Sequence, residues 1–208
     1  MIAALFVETN GIYFSDYRIA PWDANRNAKI YKGPHKVIAH PPCQRWGRYW
    51  SGGPMLAKTE RALLKGDDDD CFAHALWAVR TFGGVIEHPE ATHAWPWFGL
   101  NKPPQKGGWI CADNFGGYTC CVAQGNYGHR AQKLTWLYAV NTKRPELKWG
   151  GCSNKMPLGE RSIHSIEEGR MRRASKEYRP VKRISAKENL ATPKEFKELL
   201  IGIVEDNL

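Results

Sequence analysis

The chain has 208 residues, a formal net charge of +9 and a pI near 9.3. This length suits one domain with a substantial core plus appendages, and the positive charge favours a polyanionic partner, with nucleic acid as the first candidate. Six cysteines are too few for a disulfide scaffold, and the sequence shows neither a signal-peptide pattern nor a run of roughly 20 apolar residues able to span a bilayer. We therefore expect a cytoplasmic protein with reduced thiols and no membrane role.

Two short apolar runs predict the first strands of an α/β sheet. Ala3 to Val7 is typical of a buried strand, and Val37 to Ala39 repeats the pattern. Pro41 and Pro42 follow the second run and cannot continue the hydrogen-bond ladder of a strand. Cys43 is therefore expected on a rigid loop at a strand end, which suits a nucleophile; a small buried hydrophobic side chain is the alternative.

The stretch from Gly66 to Gly84 predicts a core-facing helix, because its apolar residues recur at helical spacing. These residues are Phe72, Ala75, Leu76, Val79 and Phe82. Asp67 to Asp70 are expected to cap the start of the helix rather than to bind a metal, and Gly83 is expected to end it.

Glu87 follows a third short apolar run, Val85 and Ile86, directly after this helix. The order strand, helix, strand predicts a right-handed βαβ unit with two parallel strands, whose carboxyl ends share one edge of the sheet. Cys43 and Glu87 are therefore expected to face one pocket. A solvated loop carboxylate is the alternative for Glu87.

A hairpin-like unit with a cationic tip is predicted next. Thr119 to Ala123 and Leu134 to Val140 are typical of strands, and Gln124 to Lys133 joins them. The loop carries His129, Arg130 and Lys133, which can donate hydrogen bonds to a carbonyl or phosphate oxygen. A solvated hairpin loop is equally compatible with the spacing.

The composition changes after the predicted core, residues 1–145. Residues 146–190 are expected to form a basic loop or arm, in which Arg170 to Arg183 holds seven basic residues against Glu177. We expect phosphate contacts there, led by Arg170, Arg172 and Arg173, with a solvated linker as the alternative.

Residues 191–208 predict an amphipathic helix that docks on the sheet. Thr192 is expected as its N-cap and Pro193 in its first turn. Its apolar face comprises Phe196, Leu199, Leu200 and Ile203.

No metal site is expected. The candidate zinc ligands contain no CxxC pair of the kind that structural sites use. They are Cys111, Cys120, Cys121, Cys152, His129 and His164.

Three of these segments resemble, in this order, motifs of the DNA cytosine-5 methyltransferases. PPCQ at Pro41 to Gln44 resembles the catalytic cysteine loop, VIEHP at Val85 to Pro89 the Glu-Asn-Val element, and QGNYGHRAQKLTWLYAV at Gln124 to Val140 the Arg-bearing strand pair. The resemblance covers residues 3–140, about two thirds of the chain, and is strongest to short phage-encoded members of the family. It implies an α/β fold with a reduced Rossmann-like, methyltransferase-type sheet.

The resemblance also implies an activity and a set of roles. Cys43 would add to carbon 6 of a pyrimidine, Glu87 would act as the acid at the ring nitrogen, and Arg130 would contact the base carbonyl. S-adenosyl-L-methionine would be the cofactor, and DNA or a pyrimidine nucleotide the partner. The implied cofactor contacts are Phe6, Glu8, Asn10, Gly11 and Pro41. The implied substrate contacts are Pro42, Gln44, Arg45, Trp46, His88, His129 and Lys133.

The sequence departs from the family in its first third. The Phe-x-Gly-x-Gly turn that admits the cofactor is represented by Phe6 and Gly11 without the inner glycine, and only about 30 residues separate the first two predicted strands. We therefore expect a reduced nucleotide-binding half and low sequence specificity. Two other functions stay open: a catalytically silent DNA-binding relative, and an enzyme that modifies a free pyrimidine nucleotide with another one-carbon donor.

Overall fold

The strands of this computed structural model, which describes residues 1–47, 50–52, 58–59, 63–152 and 184–205, form one mixed sheet. The seven strands are β1 Ile2–Leu5, β2 Ile19–Trp22, β3 Val37–Ala39, β4 Gly84–Pro89, β5 Ile110–Cys111, β6 Tyr118–Ala123 and β7 Leu134–Val140. Their order in the sheet is β2-β1-β3-β4-β7-β6-β5. Strands β1 to β4 run parallel, whereas β7 is antiparallel to β4, β6 to β7 and β5 to β6.

Helices cover both faces of this sheet. They are α1 Cys71–Phe82, α2 Ala94–Trp97, α3 Ala186–Leu190 and α4 Lys194–Val204, with 3-10 turns at Ala28–Ile30 and Gln124–Tyr127. On one face, Phe72 and Val79 of α1 share a core with Val37 and Ile86. On the other face, α4 packs its apolar side chains against the sheet through Phe196, Leu200, Ile38, Val85 and Leu137. The fold is therefore α/β and Rossmann-like, with the C-terminal helix on the sheet, as predicted.

Strand bounds agree with the sequence pattern except where pairing or backbone conformation overrides it. β3 and β7 have the predicted bounds. β1 ends at Leu5 rather than Val7, because Phe6 turns into the left-handed region at φ 58°. β4 continues beyond Ile86 to Pro89, because it pairs along its whole length with β7.

The sequence analysis missed β2. Its sequence, IAPW, contains Pro21, which argues against a strand in the interior of a sheet. β2 lies at the edge of the sheet, where a residue without a backbone N–H is tolerated.

The cap of α1 lies among the predicted aspartates, whereas the cap of α4 differs from the prediction. Among the four aspartates before α1, the Asp68 carboxylate accepts the Phe72 backbone N–H at 2.9 Å, whereas Asp70 occupies the N-cap position without a side-chain bond. At α4 the N-cap position is Pro193, so the predicted cap by Thr192 is corrected.

The predicted arm is only partly described. Its last residues contain helix α3, which the sequence analysis treated as arm. Arg170 to Arg183, including Arg170, Arg172 and Arg173, lie outside the described residues.

Candidate active site

The adjacent carboxyl ends of β3 and β4 bring a histidine and a glutamate together. Ala39 pairs with Ile86 in the parallel register, so His40 and Glu87 are the next pair along the two strands. Because side chains alternate between faces, His40 and Glu87 lie on the α4 side with Ile38 and Val85. His40 Nδ1 lies 3.0 Å from Glu87 Oε2.

Glu87 is held as a carboxylate although its side chain is only 12% exposed. Burial by itself raises the pKa of a carboxyl group, but here the hydrogen bond and charge of His40, together with the charges of Lys133 and His88, outweigh burial and lower the pKa of Glu87 to about 2. Gln124 Nε2 donates to Glu87 Oε1 at 3.0 Å and to Thr135 Oγ1 at 3.0 Å. Both carboxylate oxygens are therefore engaged.

Cys43 lies on the loop that continues from His40. Its side chain is half-buried, and its backbone carbonyl accepts N–H groups from Trp46 at 3.0 Å and Gly47 at 2.9 Å. These two bonds form a turn that holds the loop on the end of β3. Cys43 therefore lies in a hydrogen-bonded turn shortly after the end of β3.

Lys133 connects Cys43 electrostatically with Glu87. Burial lowers the pKa of the Lys133 ammonium, and the neighbouring Glu87 and Cys43 oppose that change. Its Nζ lies 3.5 Å from the carbonyl of Ala191, just before α4. Lys133 is therefore the cation placed to act on both the thiol and the carboxylate.

Arg130 and His129 lie on the outer side of the same loop. Arg130 Nη1 forms an ion pair with Glu188 Oε1 of α3 at 2.6 Å, and its side chain is 54% exposed. His129 is buried; the Ala131 N–H donates to its Nδ1 at 3.0 Å, and its Nε2 lies 3.3 Å from the Glu188 carbonyl. Both side chains fasten the loop to α3, and the contact of Arg130 with a base carbonyl stays a prediction.

A cavity of about 440 Å³ opens at the carboxyl ends of β1, β2 and β3. The strand order reverses here, since β1 is flanked by β2 on one side and β3 on the other, and ligands of open α/β sheets bind at such points. Its walls comprise Phe6, Val7, Asp23, Ala24, Asn27, Ala28, Lys29, Pro42, Asp69 and Cys71.

Asp23, at the end of β2, is the most strongly anchored carboxylate of this cavity. The Thr9 hydroxyl donates to Asp23 Oδ2 at 2.6 Å and the Arg26 N–H to Oδ1 at 3.0 Å. These hydrogen bonds lower the pKa of Asp23. The sequence analysis missed Asp23 because it depends on recognising β2; an acidic residue just after a second strand is the signal that could have found it.

Lys29, Asp69 and Cys71 also line this cavity, although none of them was predicted as a site residue. Lys29 forms an ion pair with Asp69 before α1, and burial raises the pKa of the Cys71 thiol to about 11. Of the predicted cofactor contacts, Phe6 lines the cavity, whereas Glu8 and Asn10 are exposed, Gly11 is half-buried in the same turn and Pro41 is buried.

Three predicted substrate contacts are side chains of the interior. Trp46 is 1% exposed and its Nε1–H donates to Asp68 at 2.7 Å. His88 is fully buried against Phe72, and His129 is 4% exposed. Trp46, His88 and His129 therefore lie in the interior, and their contact with a substrate stays a prediction. Pro42 and Gln44 are exposed and Arg45 is half-buried, so these three stay predicted contacts.

The six cysteines are all thiols. Within the described ranges, no group of three or more His, Cys, Asp or Glu side chains could hold a metal ion. Over those same ranges, no helix has the length and apolar character needed to cross a membrane. Comparisons with protein-family models, with curated proteins and with solved structures find no match.

Proposed function

We propose that this protein modifies a pyrimidine base through a covalent adduct between Cys43 and carbon 6, in the manner of DNA cytosine-5 methyltransferases. One observation carries the proposal: Glu87 lies on β4, Cys43 lies on the loop that follows the adjacent parallel strand β3, and both groups act electrostatically on the Lys133 ammonium. A nucleophile, a proton-binding group and a cation at one strand edge are the three elements that this chemistry needs.

The reaction explains these residue types. Carbon 5 of a pyrimidine is a weak nucleophile, and formation of a bond between Cys43 Sγ and carbon 6 pushes the ring electrons toward carbon 5, the ring nitrogen and the carbonyl. Negative charge on the ring is then stabilised by a proton at the nitrogen and by a cation near the carbonyl. In our proposal Glu87 supplies the proton to the ring nitrogen.

Lys133 is the cation that we assign to the thiolate. Thiolate formation is favoured beside a positive charge, and Lys133 is a basic side chain that interacts electrostatically with Cys43. Arg130 is paired with Glu188 at the outer end of the same loop. In our proposal Arg130 reaches the base carbonyl only if it exchanges Glu188 for the substrate.

The cavity beside β1, β2 and β3 fits S-adenosyl-L-methionine as the proposed cofactor. Its volume of about 440 Å³ lies within the range of roughly 300–1,000 Å³ that small-molecule sites span. Asp23 would hold ribose hydroxyls, as acidic residues after the second strand do in nucleotide-binding sheets, and Phe6 would contact the cofactor from the end of β1. The bound cofactor would supply an electrophilic methyl group.

DNA is the proposed partner, and the cytoplasm, where six reduced thiols persist, is the proposed location. The net charge of +9 supports a polyanion. A target base in duplex DNA would have to leave the stack to reach Cys43.

The test is a mechanism-based trap. Oligonucleotides carrying 5-fluorocytosine are mixed with the protein, with and without S-adenosyl-L-methionine, and covalent adducts are read by denaturing electrophoresis and mass spectrometry. The intact protein should form an adduct, Cys43→Ser should form none, and Cys111→Ser, which changes an exposed thiol outside the proposed site, should behave as the intact protein. An equal adduct in Cys43→Ser would remove Cys43 from the mechanism.

A free pyrimidine nucleotide is the second candidate substrate. The burial of Trp46 favours it, because one of the aromatic side chains predicted to stack on nucleic acid bases is part of the core. Trapping by 5-fluorodeoxycytidine monophosphate and not by DNA would select this substrate. DNA binding without any adduct would instead indicate a catalytically silent relative.

A further inference from the structure

A continuous hydrogen-bonded chain leads from the interior to Glu87. Tyr13 Oη lies 2.7 Å from His40 Nε2, and His40 Nδ1 lies 3.0 Å from Glu87 Oε2. Tyr13 is 3% exposed, and the His40 and Glu87 side chains are 13% and 12% exposed. A histidine that bonds a phenol through one nitrogen and a carboxylate through the other can pass a proton along this line.

The other contacts of Glu87 decide which of its oxygens can take a proton. An amide N–H only donates, so the bond from Gln124 Nε2 requires Glu87 Oε1 to act as an acceptor. The oxygen left for a proton is Oε2, which faces His40. Any proton that Glu87 delivers to a substrate is therefore most directly supplied by His40 Nδ1.

The charges around the chain favour the ionised carboxylate at rest. Lys133, from the loop before β7, favours the anion of Glu87, as does His40 after β3; His88, the next residue on β4, adds to this effect only when it is protonated. Burial raises the pKa of Tyr13 well above its usual value, and Glu87 and Glu198 of α4 add to that effect. Tyr13 therefore keeps its own proton and serves as a hydrogen-bond partner of His40.

We propose that His40 is a positioning residue for the pyrimidine chemistry: it keeps Glu87 ionised in the resting site and supplies the proton that Glu87 gives to the ring nitrogen. The inference rests on the proposed function and adds the source of the acid proton. In the transfer, the Nδ1–H bond of a His40 imidazolium breaks and an O–H bond forms at Glu87 Oε2. His40 is left neutral with its Nε2–H donating to Tyr13 Oη, so an ion pair becomes a neutral pair and no isolated charge is created.

The test compares two histidines that flank the same strand. His40→Gln removes the proton carrier after β3, and His35→Gln makes the same substitution before β3. Carbon-13 NMR of glutamate-labelled protein measures the titration of Glu87 without substrate, and the rate of adduct formation with 5-fluorocytosine DNA is measured from pH 5 to 9.

His40→Gln should raise the pKa of Glu87 by about one pH unit or more, because an opposite charge and a hydrogen bond are lost. It should also slow adduct formation by about 10²-fold. Tyr13→Phe, which keeps the ring volume, should change both quantities in the same direction by less. His35→Gln should match the intact protein in both.

An unchanged Glu87 titration in folded His40→Gln and folded Tyr13→Phe would overturn the proposal. If His40→Gln fails to fold, Tyr13→Phe decides by the same two measurements. If the intact protein forms no adduct, the proposed function fails, and the NMR titration alone then decides whether His40 controls the charge of Glu87.

Discussion

Glu87 and His88 are neighbours on β4 and both are largely enclosed, yet the two faces of the sheet leave Glu87 ionised and His88 neutral. On the α4 face, Glu87 is ionised, with a hydrogen bond to each carboxylate oxygen. On the α1 face, His88 is neutral: burial lowers its pKa to about 4, and the charge of Glu87 only partly opposes this change. Its surroundings are the rings of Phe72 and Trp95.

The difference shows that partners, more than depth, decide whether a buried group is charged. Glu87 has His40 beside it and Lys133 close enough for electrostatic interaction, whereas His88 has a hydrogen bond to the Thr92 hydroxyl at 2.7 Å. At the end of β4, charge is therefore gathered on the α4 face, around Glu87. The α1 face at the same level is core.

The largest effect is expected from Glu87→Gln. The substitution keeps the shape of the side chain but cannot carry a proton to the ring nitrogen, so adduct formation with 5-fluorocytosine DNA should slow by about 10²–10⁴-fold. Stopped reactions resolved by denaturing electrophoresis measure the rate, and circular dichroism verifies the fold. A rate equal to that of the intact protein would place the acid elsewhere.

His88→Ala should act on stability instead. Removing a fully buried ring that packs on Phe72 and Trp95 leaves a cavity, which should cost about 2–4 kcal/mol in the free energy of unfolding. Urea denaturation measures this loss, and adduct formation per folded molecule should be unchanged. Full stability with lost reactivity would return His88 to the active site and contradict the distinction between the faces.

The two faces should also respond to acid in separate pH windows. The folded pKa of His88, about 4, lies below its ordinary 6.5, so the unfolded chain binds the extra proton and stability falls as the pH drops from 6.5 to 4. The folded pKa of Glu87, about 2, lies below its ordinary 4.5, so its contribution falls between pH 4.5 and 2. Each shift of about 2.5 pH units corresponds to about 3–4 kcal/mol in full.

Unfolding free energies measured by urea titration at half-unit pH steps separate the windows. His88→Phe should flatten the curve above pH 4. Glu87→Gln should flatten the part below pH 4.5 and make the upper part slightly steeper, because the negative charge that opposes the lowering of the His88 pKa is lost. A curve in which either variant flattens both windows would mean that the two groups titrate as one unit, contrary to their separation by the sheet.

The local pattern of apolar residues correctly predicted those strands and helices that do not depend on pairing with a neighbouring strand. β3, β7 and the core positions of α1 follow from apolar spacing alone, because a buried strand or helix face is apolar wherever it lies. β2 could not be found this way, since Pro21 is acceptable only because pairing puts the strand at the edge. The extension of β4 to Pro89 likewise depends on its partner β7.

The candidate site was predictable only in part for a related reason. Cys43 and Glu87 follow from strand ends and from the family resemblance, but His40 depends on the register that sets it opposite Glu87. Trp46 shows the opposite failure: a tryptophan near a reactive loop suggests stacking, yet Asp68 and Phe72 draw it into the core. Residue type does not reveal which face a side chain occupies; pairing does.

Replacing two buried threonines should have the smallest effects on stability and rate, and it gives the most sensitive comparison of the two faces of the sheet. Thr92 bonds His88 Nδ1 and accepts the Ala94 N–H at 3.2 Å, whereas Thr135 accepts from Gln124, which holds Glu87. Each Thr→Val change keeps the side-chain shape and removes one hydroxyl, so each should cost about 1–2 kcal/mol of stability by urea denaturation. Only Thr135→Val should also slow adduct formation, because Gln124 then holds Glu87 less firmly. If Thr92→Val and Thr135→Val form the adduct at equal rates, the hydrogen bond between Gln124 and Thr135 does not help to hold Glu87. If Thr92→Val is the slower of the two, the two faces of the sheet are coupled through β4.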